Sequence, residues 1–335
     1  DGECAMVDAT KVHFDPSLKR IRAKSFSWCS NITYLSIPNF VTTIELAAFF
    51  GCKSIVVLKL SSSLKTIESD AFCCCSSLRE LEMPPLLRTI GVSAFGHCTS
   101  IETIQIQTDI SKPSLRTIEN EAFRNCTSLL IFPYFPYLET IGNRAFGGCM
   151  SLTEVTLGPL VKFVSRNSFD GCVSLIKLRC TYREGCIVPW AVTDIEMNPT
   201  TTKICNSAFA GCNLLRDINI TSLVKYIGKS AFWNCESMPR DFKIPETVGY
   251  VGVGAFGRCL FNSNLSNLPI SATQDRYTFM GGRDIPPLDV ASVVIDKSVK
   301  EIPIGTFEGC SYLRELVISS KNITIKEGSF DRCSS

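Results

Sequence analysis

Leu138-Glu139-Thr140-Ile141-Gly142-Asn143-Arg144-Ala145-Phe146-Gly147-Gly148-Cys149-Met150-Ser151-Leu152-Thr153-Glu154-Val155-Thr156-Leu157 is one turn of a pattern that returns along almost the whole chain. Its anchor, Phe-x-x-Cys, recurs at Phe26/Cys29, Phe49/Cys52, Phe72/Cys75, Phe95/Cys98, Phe123/Cys126, Phe146/Cys149, Phe169/Cys172, Phe209/Cys212, Phe232/Cys235, Phe256/Cys259, Phe307/Cys310 and Phe330/Cys333. A thirteenth copy, Thr278-Phe279-Met280-Gly281-Gly282, has lost its cysteine. Successive anchors lie 23, 23, 23, 28, 23, 23, 40, 23, 24, 23, 28 and 23 residues apart. Eight of the twelve intervals are identical, so the period overrides any division of 335 residues into globular domains.

Columns aligned on the anchor give the local structure. The residue before each Phe is Ala, Ser or Thr, as a tight turn beside a buried ring requires. Five residues before Phe stands an aliphatic residue, for example Ile21, Ile44, Ile67, Ile90, Ile118, Ile141 and Val164, in every copy except that of Phe279. Nine and eleven residues after Phe come further apolar positions, such as Leu81 and Met83, whose alternation marks a strand with Glu80 and Glu82 facing away from the core. The aliphatic segment before Ala-Phe reads as a second short strand, with Gly91, Gly142 and Gly228 helping it to bend. No segment is long enough for an ordinary helix. One unit cannot bury its own apolar columns, so coils must stack and repeat each position as a ladder. At about 4.8 Å per parallel strand, thirteen coils would extend on the order of 60 Å.

The pattern Cys-x-Ser-Leu-x-x-Leu-x-Leu-Pro, followed by Leu-x-x-Ile-Gly-x-x-Ala-Phe, resembles the BspA-type (Treponema-type) leucine-rich repeat. The resemblance covers nearly the whole chain, and the Ala-Phe-x-x-Cys turn sets it apart from other leucine-rich repeats. It implies a right-handed leucine-rich-repeat solenoid with strands on both sides of the coil. It also implies a surface or secreted protein engaged in adhesion, since proteins similar to this are mostly surface molecules of anaerobic bacteria and parasitic protists. It brings no catalytic residues, and a fold names no ligand. The expectation is one solenoid over residues 1–335, with repeats at 26–333 and an insertion at about 181–197. An apolar coil ending just after the last anchor further suggests a fragment of a longer protein.

Composition narrows the function classes. The chain is 45% hydrophobic and 20% charged, with a mean hydropathy of +0.17 and a formal net charge of +2. That supports a folded core and gives no electrostatic support for a nucleic-acid partner. No run of 18 apolar residues is present, so no transmembrane segment is expected. A signal peptide is either absent or already removed ahead of Asp1. With only His13 and His97, and no phosphate-cradling glycine loop, an enzyme, a cofactor and a metal site are all unexpected. Of the 18 cysteines, twelve sit in the anchor column, and a ladder of free packed thiols is the expected state. Bridging between adjacent coils is the alternative. Cys180 falls in a core column, which leaves Cys4, Cys73, Cys74, Cys186 and Cys205 as irregular.

Three features are candidates for binding a protein ligand, with a glycan as a further option. The first is the outward face of the main strands, eight and ten residues after Phe, where Tyr34, Lys59, Glu80, Glu82, Gln105, Glu154, Lys177, Arg179 and Asp217 vary from coil to coil. The second is the seventeen-residue excess between Phe169 and Phe209, read as a protruding loop anchored by Tyr182 and Trp190 or as a tolerated insertion whose Trp packs back. The third is a broken basic stripe seven residues before Phe, carrying Lys65, Arg88 and Arg116, which either attracts an acidic partner or protects a strand edge. Smaller irregularities lie near Thr108 to Pro113 and Val290 to Ser298, and glycosylation triplets start at Asn31, Asn125, Asn219, Asn264 and Asn322. The leading functional reading is a non-enzymatic, adhesin-like module, cell-surface or secreted. The competing one is a cytoplasmic or cytoskeletal scaffold within a larger assembly, to which free thiols are suited.

Overall fold

The computed structural model describes residues 10–15, 17–106, 114–239, 242–252, 254–259, 277–279, 281, 286, 292–308, 310, 313–319 and 322–333. Cys4, the irregularity at Thr108 to Pro113 (from 114 onward excepted), Asn264 and part of the Val290 to Ser298 segment lie outside them. Among the described residues every regular element is a short strand, and every recorded pairing is parallel. The chain folds as a parallel-strand β-solenoid. It divides into two compact units, Asp1–Thr181 with Cys186–Asp194, and Tyr182–Gly185 with Ile195–Ser335.

In the first unit the aliphatic column forms a seven-stranded sheet of Arg20–Ile21, Thr43–Ile44, Thr66–Ile67, Thr89–Ile90, Thr117–Ile118, Thr140–Ile141 and Phe163–Val164. The register is in step throughout, Ile21 beside Ile44 and Ile141 beside Val164, with the isoleucines inside and their partners outside. The main strands pair on the other side of the coil: Tyr34–Ser36 with Val57–Lys59, Glu80–Met83 with Thr103–Ile106, and Glu154–Thr156 with the start of Lys177–Tyr182. Between the last two pairs the coil of Phe123 contributes only Ile131, which bridges Thr103 and Glu154.

The Ala-Phe-x-x-Cys corner is a third ladder. Around Phe49, the N–H groups of Ala47, Phe49 and Gly51 donate to the carbonyls of Ser69, Ala71 and Cys73 in the next coil, each at 2.8 Å. The intervening N–H groups of Ala48, Phe50 and Cys52 turn back to carbonyls three residues earlier. This alternation requires left-handed backbone two residues before and two after the ring, as at Ala47 (φ 51°) and Gly51 (φ 72°), or Arg144 (φ 48°) and Gly148 (φ 74°). Asn125 and Asn234 take the second of these positions, which their short polar side chains tolerate.

The ring ladder fills the core. Phe49, Phe72, Phe95, Phe123, Phe146 and Phe169 stack with centroids 5.2–5.5 Å apart and planes within 9° of parallel. The 28-residue interval between Phe95 and Phe123 leaves this stack unbroken. Buried aromatic pairs contribute about 0.5–1.5 kcal/mol each beyond their area. The glycines serve a different purpose from the bend expected of them. Gly142 has an ordinary backbone, but a Cβ there would lie 2.5 Å from the Asn120 nitrogen, and one at Gly91 would lie 2.7 Å from the Glu68 carbonyl carbon. They let neighbouring coils approach each other.

In the second unit Lys203–Ile204, Tyr226–Ile227 and Tyr250–Val251 form one parallel sheet. Tyr277–Phe279, Ser292–Ile295 and Glu315–Ile318 form another. Phe279, Val293, Ile295, Ile302 and Phe307 make the core there. The degenerate copy therefore still delivers its ring to the inside.

Candidate functional site

Strand alternation places the candidate face. Leu35, Leu58, Leu81, Ile104, Val155 and Leu178 point inward, so Tyr34, Lys59, Glu80, Glu82, Gln105, Glu154 and Arg179 are exposed, and Lys177 is half-buried. The first unit brings these eight residues onto the main-strand side of the coil, with Glu82 beside Gln105 and Glu154 beside Lys177. The Lys59 ammonium sits 6.0 Å from the Tyr34 ring centre, within cation–π range. Asp217 is exposed and belongs to the second unit.

Alignment on charged residues missed an apolar element of this surface. Leu130, Ile131 and Ile176 are 46%, 60% and 62% exposed. Leu130 and Ile176 occupy one column with Thr153 between them, since Thr153 N–H donates to the Leu130 carbonyl and Ile176 N–H to the Thr153 carbonyl. The sequence signal was there: seven residues after Phe the chain carries Thr33, Arg79 and Glu102 in some coils, but Val56, Leu130 and Ile176 in others.

The insertion is not a protruding loop anchored by two aromatics. In the first unit, Ile187 bridges Phe163 in parallel and Trp190 N–H donates to the Arg166 carbonyl. Val188 is buried, so the segment continues the aliphatic ladder as a coil without a Phe corner. Trp190 remains 47% exposed and available to a partner. Tyr182 is fully buried in the second unit, its ring 4.8 Å from that of Phe209. The period-two alternation of Lys177–Tyr182 carries Tyr182 inside with Leu178 and Cys180. Its phenol oxygen accepts the Cys205 N–H at 2.9 Å. Glu184 accepts the N–H groups of Thr202 and Lys203 and the Thr202 hydroxyl. These side chains thus satisfy donors along the edge of Lys203–Ile204, and the same hydrogen bonds hold the Glu184 carboxyl below its usual range.

The basic stripe is partly neutralised. Glu139 accepts from both Arg116 and Lys162, which depresses its pKa, chiefly through the hydrogen bond from Lys162 and then that from Arg116. Arg116 is therefore an ion-pair partner. Lys65 and Arg88 stand in the same column with no ion pair recorded among the described residues. A carboxylate whose folded pKa is lowered contributes stability above its unfolded value, and that contribution is lost as pH falls through the folded one. The expected result is that Glu139→Gln removes a small acid-side decrease in stability, followed by chemical denaturation between pH 6 and pH 3. The effect should shrink in high salt because both cations are exposed and Glu139 is only partly covered.

The cysteine column has a role beyond packing. Among the described residues, at least nine thiols of the column donate to the carbonyl of the preceding coil's anchor, among them Cys52 to Phe26 (3.0 Å), Cys98 to Phe72 (3.2 Å), Cys149 to Phe123 (3.2 Å) and Cys235 to Phe209 (3.1 Å). Burial pushes the Cys52 thiol up to about 12 and raises those of Cys75 and Cys98 as well. Cys180 is buried, as its column requires. Cys29, the first cysteine of the column, is disulfide-bonded. Iodoacetamide at pH 8 should leave Cys75, Cys98 and Cys126 unmodified in the folded protein and alkylate them in urea, as read by peptide mass mapping. Rapid native labelling of Cys98 would contradict the buried ladder. Cys73 and Cys74 bring their sulfurs to 3.7 Å, and no group of three metal-ligating side chains occurs among the described residues.

A parallel solenoid with a Phe corner, inward leucines and a varied outward face defines a leucine-rich-repeat protein. The model of the BspA type leucine rich repeat region matches residues 4–130, 107–176, 189–283 and 287–335 in six copies. The chain belongs to that family. A leucine-rich repeat protein from Bacteroides ovatus is 18% identical, with 89% of this chain and 81% of that chain covered and a TM-score of 0.44. A leucine rich cell surface protein from Faecalibacterium prausnitzii is 20% identical, with 91% and 78% covered and a TM-score of 0.40. The pneumococcal vaccine antigen PcpA is 18% identical, with 93% and 75% covered and a TM-score of 0.39. No curated protein matches the sequence.

Proposed function

We propose that the chain is a non-enzymatic protein-binding module, displayed at a cell surface or secreted, that uses the outward face of the main strands in its first unit. The observation that carries this reading is the contrast between the two sides of those strands. The inward side repeats Leu, Ile and Val, whereas the outward side changes from Tyr and Lys to paired Glu, then to Ile131 and to Lys177 and Arg179. Such variation on a rigid scaffold supplies both apolar anchors and charge pairs for specificity. Leu130, Ile131 and Ile176, with Val56 and Val57 nearer the first turn, are exposed apolar residues around which a partner would exclude water.

The test is affinity capture from host-cell surface extracts by the 335-residue chain, compared with an Ile131→Ser/Ile176→Ser variant and a Lys177→Glu/Arg179→Glu variant. A captured protein should lose tenfold or more in affinity to the first variant and become less salt-sensitive with the second. Capture unchanged by both variants would remove this face from the reading. The free thiols beyond Cys29 favour a second reading, a scaffold in a reducing compartment. The Cys29 disulfide favours the oxidising exterior.

A further inference from the structure

The first turn of the first unit carries a cavity separate from the apolar anchors. It encloses about 610 Å³ and is lined by Lys11, His13, Tyr34 and Ser36, with Val12, Phe14 and Pro38 as its apolar parts. Lys11 bridges Tyr34 in parallel, one period earlier in the chain, so Lys11 and His13 continue the outward columns of Tyr34 and Ser36. Tyr34 is 39% exposed, with Lys11 paired to it along the backbone on one side and the Lys59 ammonium 6.0 Å from its ring. No lining residue is acidic. Glu80 is the first carboxylate in the column, two coils further on.

We propose that this cavity binds an acidic saccharide, a short run of sugar rings bearing carboxylate or sulfate. A sugar ring presents aliphatic C–H groups on one face and hydroxyls at its rim. An exposed tyrosine flanked by a hydroxyl suits both, the C–H face lying on the ring and a rim hydroxyl reaching Ser36. The anionic substituent is met by Lys11 in the lining and by Lys59 beside the Tyr34 ring, and no lining residue is a carboxylate. The volume falls in the range of small-ligand sites, with room for a few rings and openings for the chain to continue. An acidic peptide would meet the same cations, but it has no use for an apolar platform with hydroxyl partners at its edge. The site shares Tyr34 and Lys59 with the outward face but none of the residues varied in the protein-capture test, Ile131, Ile176, Lys177 and Arg179, so the failure of one reading is distinguishable from the failure of the other.

The experiment is calorimetric titration of the 335-residue chain with a heparin-derived hexasaccharide, a hyaluronan hexasaccharide, neutral chitohexaose and a poly-glutamate peptide. At least one acidic saccharide should bind at low salt, at least tenfold more tightly than chitohexaose, and weaken as salt rises. The heparin and hyaluronan arms separate sulfate from carboxylate recognition. Tyr34→Ala and Lys11→Gln should each weaken binding fivefold or more, whereas Lys65→Gln/Arg88→Gln should leave it unchanged. All four positions are exposed or half-exposed, so the variants retain the fold, and circular dichroism verifies this. The proposal is overturned if no acidic saccharide binds, if poly-glutamate binds equally well, or if binding survives Tyr34→Ala but is lost with Lys65→Gln/Arg88→Gln.

Discussion

Phe146→Ala is expected to destabilise the first unit by about 3–5 kcal/mol, measured by urea unfolding. The ring is fully buried, stacked against Phe123 at 5.4 Å and Phe169 at 5.2 Å, with Phe132 edge-on at 4.7 Å. Three aromatic neighbours lose a partner at once, and coil spacing is fixed by backbone hydrogen bonds on three sides, so the space cannot collapse. In a stack where each coil meets only its neighbours, the loss should appear first as local opening around the substituted coil, visible by native-state hydrogen exchange. Phe26→Ala is the internal comparison. That ring is only partly buried, with Phe14 edge-on at one side, and its loss should be clearly smaller. Equal losses at the two positions would mean that ring stacking does not set the stability.

Tyr182→Ala should cost a similar amount, about 3–5 kcal/mol, and it acts in the second unit. Tyr182 packs on Phe209 and accepts the Cys205 N–H, so truncation both opens a cavity and strands a backbone donor. Tyr182→Phe separates the two effects. It keeps the ring and removes the acceptor, with an expected loss of about 1–3 kcal/mol. A variant as stable as the parent would show that the Cys205 N–H finds another acceptor. If Tyr182 were instead a ligand anchor on a loop, both substitutions would leave stability alone and alter only binding.

The periodic columns made the coil legible before any coordinates. A column that repeats Ile or Leu has one physical explanation, burial in a stack, and the structure places Ile44, Ile67, Leu81 and Leu178 accordingly. The insertion was harder because its meaning depends on a missing feature. Segment 183–193 lacks the Phe corner by which coils are recognised, yet Ile187 and Val188 still supply the outward and inward residues of a strand pair. Read as part of an insertion, Tyr182 suggests a loop anchor, whereas its place in the alternation after Leu178 and Cys180 assigns it to the core. The thiol-to-carbonyl bonds were hidden for another reason. They join residues one coil apart through atoms whose proximity only the corner geometry reveals, and a column of cysteines reads equally well as small apolar filler. Of the candidate face, the charged positions followed from alternation alone. Ile131 did not, because its coil reduces the strand to a single bridge and offers no alternation to read.

The corner ladder has a mechanical consequence. Its hydrogen bonds, like those of the two flanking sheets, run from coil to coil, so tension applied along the stack of the first unit pulls directly against them. A terminal coil is held by one set of neighbours and an internal one by two, so coils should detach singly from an end. Each 23-residue coil would then release about 80 Å of chain, giving evenly spaced steps in a stretching trace. A module that lengthens in small equal increments under load keeps its remaining coils folded, and with them whatever part of the binding face they carry.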